Sequence, residues 1–243
     1  MALTAGAWAG PPPLKFDHVW LAVKPGAPER AVLEKAGFHF SPTVNRHDGQ
    51  GTASVTIEFE NSFLELIWPD RDVPIDPGFE RAAEKFKQRT DWRTSGWCPI
   101  GVGMSYQDES PVTMPSTTWS VSPEWLKPYK MDILTAREDA KSPSLFAKPS
   151  KRSTDEAANR KAAMPGSSRY EEFHHPNGAK RITGVRLITP PGYQPVEALK
   201  FVRDAGVLSY TPGKEWLVEL TFDTGSQGKT KDLRPTLPLL IRY

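Results

Sequence analysis

Apolar positions come first in a near-continuous block, Phe16 to Val23 (FDHVWLAV), rich in β-favouring residues and closed by Pro25-Gly26. That pattern predicts a largely buried strand. A helix is expected next: Pro28 suits its first position, Val32, Leu33 and Ala36 fall on one side, and Gly37 stands where a helix stops. Strand patterns follow over 38–44, 52–59 and 62–68, so the order reads strand, helix, strand, strand, strand.

From 76 to 90 the period becomes helical, with Phe79, Ala82, Ala83 and Phe86 forming an apolar stripe expected to face the core. Shorter strand patterns at 99–106, 117–121, 131–135 and 144–147 are separated by Pro, Ser and Asp turns. Residues 148–181 are polar and basic, and Ser153 with Glu156 predicts a capping box for a short helix. The last third returns to the opening order: a strand at 181–189, a helix opened by Pro195 and stopped by Gly206, then strands at 207–211, 216–222 and 237–243.

These patterns predict an α+β chain of repeated units: a flexible leader at 1–13, a first unit at 14–75, a helix plus degenerate middle unit at 76–150, a polar excursion at 151–180 and a final unit at 181–243. Residues 14–70 and 181–243 are expected to superpose. Units of this kind form curved mixed sheets that a neighbour completes, and the concave side becomes a cavity.

Charge and cysteine content narrow the function classes. Lys+Arg 31 against Asp+Glu 29 leaves a net charge of +2, far from the basic footprint of a nucleic-acid binder. The single cysteine, Cys98, makes neither an internal disulfide nor a thiolate metal site, which fits a cytoplasmic setting. No apolar run is long enough to predict a membrane span. Phosphate cradles, dinucleotide fingerprints and a nucleophile elbow are all missing from the sequence.

The candidate chemistry lies on the predicted strands. Phe16, His18, Trp20 and Ala22 are expected on one strand face, and Phe63, Glu65 and Ile67 on one face of another. A carboxylate among apolar neighbours needs a cation or a hydrogen-bonding partner. A divalent metal shared by His18 and Glu65 meets that need, as does a hydrogen bond between them or to separate core neighbours. His47 sits in an Asn45-Arg46-His47-Asp48 loop, placed for substrate contact or proton transfer or simply as a solvated turn histidine. Trp20, Arg46 and Phe63 are the candidate substrate contacts, and eight tryptophans favour a ligand with an aromatic or hydrophobic body.

FDHVWLAV, the segment His47-Asp48-Gly49-Gln50-Gly51-Thr52 and the strand NSFLELIW together resemble the glyoxalase-like branch of the vicinal oxygen chelate superfamily. His175-Pro176-Asn177-Gly178 resembles a later part of such proteins. The resemblance implies paired β-α-β-β-β modules around a funnel-shaped cavity, with a divalent cation held by first- and fourth-strand side chains. His18 and Glu65 match those two positions. In the middle unit the strands PIGVGMSY and PSLFAKP offer no matching ligand, and in the final unit Gly184 stands where His18 does. Glu219 matches by its letters but belongs to a third strand by order. A further ligand is therefore expected from His47, His174 or His175, with His175 the one chosen, unless the site holds no metal.

The function expected is a metal-dependent lyase, isomerase or ring-opening enzyme acting on adjacent oxygens of a small organic substrate. Glu65 or His47 would move the proton. The alternative is a metal-free protein of the same superfamily that sequesters a drug or natural product. A small molecule is the expected partner in either case, with a homodimer as a candidate assembly and no nucleic acid or membrane.

Overall fold

The computed structural model describes residues 13–107 and 112–243. All but the last residue of the expected leader lies outside them. The opening unit is β1 (Leu14–Ala22), α1 (Arg30–Lys35), β2 (Asn45–His47), β3 (Thr52–Phe59) and β4 (Ser62–Pro69). Gly37 ends α1 at a φ of +84°, a conformation that costs a residue without Cβ little. The strand expected over 38–44 is irregular. Phe38 there turns into the core and the short β2 forms only where Asn45 to His47 pair with Ser54 to Thr52.

Two helices follow, α2 (Glu80–Thr90) and α3 (Trp92–Ser95), and then β5 (Ile100–Tyr106), β6 (Trp119–Val121), β7 (Met131–Ile133) and β8 (Ser144–Lys148). These strands continue the sheet of the first unit. Its order is β2-β3-β4-β1-β5-β8-β7-β6, eight strands that curl as a half-barrel, each half the mirror of the other in sequence order. β1 and β5 pair antiparallel at the centre, while β1–β4 and β5–β8 are parallel. The middle block is thus the true partner of the first unit. What made it look degenerate is that no helix joins β5 to β6 among the described residues.

The excursion carries α4 (Glu156–Ala162) and α5 (Tyr170–Phe173). Asp155 caps α4, its Oδ1 accepting from the Ala158 N–H at 3.0 Å, so the cap falls one residue before the glutamate of the expected box. The final unit is β9 (Ile182–Thr189), α6 (Glu197–Asp204), β10 (Ser209–Pro212), β11 (Leu217–Phe222), β12 (Thr230–Asp232) and β13 (Leu239–Arg242). Both predicted helices are present, but this unit does not repeat the first one's connectivity. It is a separate five-stranded sheet of order β10-β9-β11-β13-β12. After α6 the chain pairs at once with β9 in parallel, whereas after α1 it crosses to the far edge of the sheet. A strand-helix-strand pattern is the same in both cases; sheet order is decided by which edge the crossover reaches.

One core joins the two sheets. Val19 and Leu21 of β1, Ile57 of β3, Leu66 of β4 and Val102 of β5 pack with Leu199 and Val202 of α6 and Val218 and Leu220 of β11. The other face of the eight-stranded sheet is thereby left free to line a cavity, and the described helices include none long and apolar enough to cross a membrane.

Candidate active site

A cavity of about 510 Å³ lies on the concave face of the eight-stranded sheet. His18 and Trp20 of β1, Thr56 and Glu58 of β3, Phe63 and Glu65 of β4, and Phe146 and Lys148 of β8 form its floor. Asn45, Arg46, His47 and Gln50 form a polar wall, and Trp119 and Trp125 join it from the second half, the Trp125 ring 6.4 Å from that of His47. The expected apolar stripe, Phe79 just before α2 and Ala82, Ala83 and Phe86 within it, faces this cavity and not the core as its pattern suggested. Arg89 anchors that helix: it is buried and donates to the carbonyls of Cys98 and Ser142.

A bulge places the histidine. The register between β1 and β5 shifts between Phe16 and His18, so Asp17 is an extra residue and the alternation changes phase. Phe16 consequently packs with the main core, contrary to the face shared with His18 that strict alternation predicts, while His18, Trp20 and Ala22 turn to the cavity side. The bulge also brings Asp17 beside its neighbour. Asp17 Oδ2 lies 2.5 Å from His18 Nδ1 and 2.8 Å from Lys148 Nζ, and Oδ1 accepts from the Thr154 N–H and hydroxyl at 3.0 and 3.1 Å. Burial alone would raise the Asp17 carboxyl, but the hydrogen bonds and charges of His18 and Lys148 outweigh it and hold the group well below the usual carboxylate range.

With Nδ1 engaged, His18 presents Nε2 to Glu65 Oε2 at 3.6 Å. Phe63 stacks on the imidazole at 4.1 Å between centroids, and Phe146 meets it edge-on at 5.4 Å. From β2, His47 presents its own Nε2 to the other oxygen of Glu65 at 3.5 Å, while Nδ1 lies 3.0 Å from Thr52 Oγ1. Two imidazoles thus flank one buried carboxylate.

The second half is built to leave room for this arrangement. His18 pairs with Gly103 and Trp20 with Gly101 across the central strands. A Cβ at Gly103 would sit 2.4 Å from His18 Cε1, and one at Gly101 1.9 Å from Trp20 Cε2. The strand pairings relate the halves by a pseudo-two-fold: Glu65 pairs with Trp20, two residues beyond His18, as Lys148 pairs with Ser105, two beyond Gly103. Gly103 and Lys148 therefore occupy the positions equivalent to His18 and Glu65. One half supplies the donors, and the other supplies space and a cation.

His175 is not part of this cluster. It is buried beyond the sheet against Phe38 and Phe59, its Nδ1 accepting from the His39 N–H at 3.2 Å and its Nε2 lying 2.9 Å from the Glu58 carbonyl. Both ring nitrogens are engaged with main chain, so the ligand role expected for it is corrected: the turn it precedes tucks it into the core. His174 pairs with the Tyr170 hydroxyl at 2.8 Å, and Glu219 with Arg186 and Arg242 at 2.7 and 2.9 Å. Cys98 is buried, and burial pushes its thiol up to about 12.

Sequence reasoning missed Asp17, Lys148, Glu58 and Gln50. The first was hidden by the bulge. The other three lay in segments read as a linker boundary, a strand interior and a turn.

Residues 16–109 match the sequence profile of the glyoxalase-like domain family. The chain contains a glyoxalase-like domain. The match takes in β1 to β5, whereas the strands β6 to β8 that complete the cavity lie beyond it. Among solved structures, a hypothetical protein from Staphylococcus aureus is similar at 12% identity, with 94% of this chain and 98% of that chain covered and a TM-score of 0.49. A xylose isomerase-like TIM barrel/4-hydroxyphenylpyruvate dioxygenase fusion protein is similar at 10% identity over 90% of this chain and 38% of its own, with a TM-score of 0.42. No curated protein matches the chain.

A divalent cation is the group the vicinal oxygen chelate superfamily implies. Two imidazole nitrogens and a carboxylate are donors of the right kind, and a carboxylate behind one imidazole is the usual outer-shell support. No three His, Cys, Asp or Glu side chains among the described residues are gathered to hold an ion as placed. The reason is visible in the contacts: His18 and His47 face different oxygens of Glu65, and the two rings have to close on one point to share a cation.

Proposed function

We propose that the glyoxalase-like cavity is the active site of a metal-dependent enzyme that moves a proton on a small organic substrate with adjacent oxygens and a hydrophobic or aromatic body. The observation supporting this most is the carboxylate of Glu65 flanked by His18 Nε2 and His47 Nε2 at 3.6 and 3.5 Å in a largely apolar cavity. His18, His47 and Glu65 would hold the cation, which as a Lewis acid polarises the substrate's oxygens.

The chain's own groups do the rest. Asp17 holds the His18 ring through Nδ1, so Nε2 stays on the cavity side. Glu65 accepts the proton beside the polarised carbonyl and returns it at the neighbouring atom, the exchange that lyase and isomerase reactions of this type share. Gln50 has a buried side-chain nitrogen with no hydrogen-bond partner among the described residues, a donor available to a substrate oxygen. Phe63, Phe146 and Phe86 bind the substrate body, and α2 limits the entry of water.

A second reading is supported by Gly103 and Lys148 standing where ligands could have been: a binding protein that holds its ligand without turnover. The test is wash-in of solvent deuterium at the hydroxyl-bearing carbon next to the carbonyl of 2-hydroxyacetophenone, followed by proton NMR with added zinc ion. The wild-type protein should catalyse the exchange and Glu65→Gln should not. Equal exchange by both, or binding of the ketone with no exchange, would overturn the enzyme reading, and the latter leaves the binding protein in its place.

A further inference from the structure

The charged groups of the cavity are not all matched. Lys148 is engaged by Asp17 at 2.8 Å, and Glu65 lies between two histidines. Arg46 is exposed at the rim, where water solvates a cation at no cost. Glu58 differs from all of these. Its side chain lines the cavity, partly buried, and no ion pair to it is found among the described residues.

The neighbours of Glu58 make the mismatch worse. Across the strand pair it faces Phe63, and along β3 its polar contact is the hydroxyl of Thr56. Burial raises its carboxyl above the usual range, the Thr56 hydrogen bond and Arg169 pull it down, and Glu172 and Glu65 push it up again. The nearby cation, Arg169, is already held by Glu172 through two hydrogen bonds at 3.1 and 3.0 Å. A partly buried carboxyl beside Phe63 without its own cation is costly, and a ligand that brings the cation removes the cost. Aromatic faces favour the same charge.

We infer that Glu58 is the specificity subsite of the cavity and takes the ammonium group of a ligand that carries a basic nitrogen on an aromatic or otherwise hydrophobic body. The inference rests on the cavity being a ligand site, as proposed above, but not on turnover. It holds for the enzyme and for the binding protein alike.

Three probes of one shape separate the charges: 2-phenylethylamine, 2-phenylethanol and phenylacetate, each titrated into the full chain by calorimetry and by quenching of the cavity tryptophans. The amine should bind at least tenfold more tightly than the alcohol, and phenylacetate most weakly. Glu58→Gln should remove the preference for the amine while leaving the affinity for 2-phenylethanol within about twofold. His18→Ala should keep the preference, so that failure of the catalytic reading and failure of this subsite give different results. Should Glu58→Gln not fold, the wild-type order of the three probes still decides. Equal affinities, tighter binding of phenylacetate, or an amine preference that survives in folded Glu58→Gln would overturn the inference.

Discussion

Alanine at Gly103 should destabilise the fold by about 1–3 kcal/mol, the range for forcing extra atoms into a packed interior, and should displace the His18 ring from Glu65. The new Cβ would stand 2.4 Å from His18 Cε1 and 2.6 Å from Nδ1. The ring has nowhere to retreat: Asp17 holds Nδ1 at 2.5 Å, and Phe63 lies on its face. Gly101→Ala should act in the same way on Trp20, which is packed against Phe86 at 5.5 Å between centroids. Gly184 is the control, since a Cβ there would meet Thr221 at 3.3 Å and little else. Urea denaturation of the three variants, with ligand titration of those that fold, reads both effects. Gly103→Ala as stable as the wild type and unchanged in ligand binding would show that the imidazole does not occupy the space assigned to it.

Acid should weaken the protein through His175, which lies outside the cavity on the core side of the sheet. Burial pushes its imidazole down to about 4 from an ordinary value of 6.5, against a partial offset from the hydrogen bond to the Glu58 carbonyl. The folded-state value is the lower one. Between about pH 6.5 and 4 the unfolded chain therefore takes up a proton that the folded chain refuses, and stability falls as the pH falls through that window. The full stabilisation is present above the unfolded value, and its size follows from the shift, about 3 kcal/mol. Chemical denaturation at pH 7, 5.5 and 4 should show this decline, and His175→Gln, which can still accept from the His39 N–H and donate to the Glu58 carbonyl, should flatten it. A slope unaffected by the substitution would place the acid sensitivity elsewhere.

How much of this was legible depended on whether a signal was local. The strand carrying His18 and the strand carrying Glu65 were readable because both are long and apolar, and the glycine stops after α1 and α6 follow from backbone geometry. The phase of β1 was not readable. A bulge adds one residue without changing the composition, so Phe16 fell on the wrong face and Asp17 stayed unnoticed beside its histidine. Lys148 looked like the start of a polar linker because its partner, Asp17, is remote in sequence. The shared order of strand, Pro-opened helix and Gly stop made 181–243 read as a second copy of 14–70, yet the sheet order that distinguishes the two is a property of crossovers, on which the letters are silent. Likewise, two glycines in PIGVGMSY read as missing ligands; the structure shows that they make room for the His18 and Trp20 rings that face them.

The central claim is that His18, His47 and Glu65 act as one site, and divalent-metal content tests it most directly. Wild-type protein purified without chelator and equilibrated with zinc ion should retain about one ion per chain by elemental analysis. His18→Ala, His47→Ala and Glu65→Gln should each lose it, while His175→Gln, altered on the far side of the sheet, should keep it. A wild-type protein that retains no ion, or an ion that survives in His18→Ala and disappears in His175→Gln, would contradict the account.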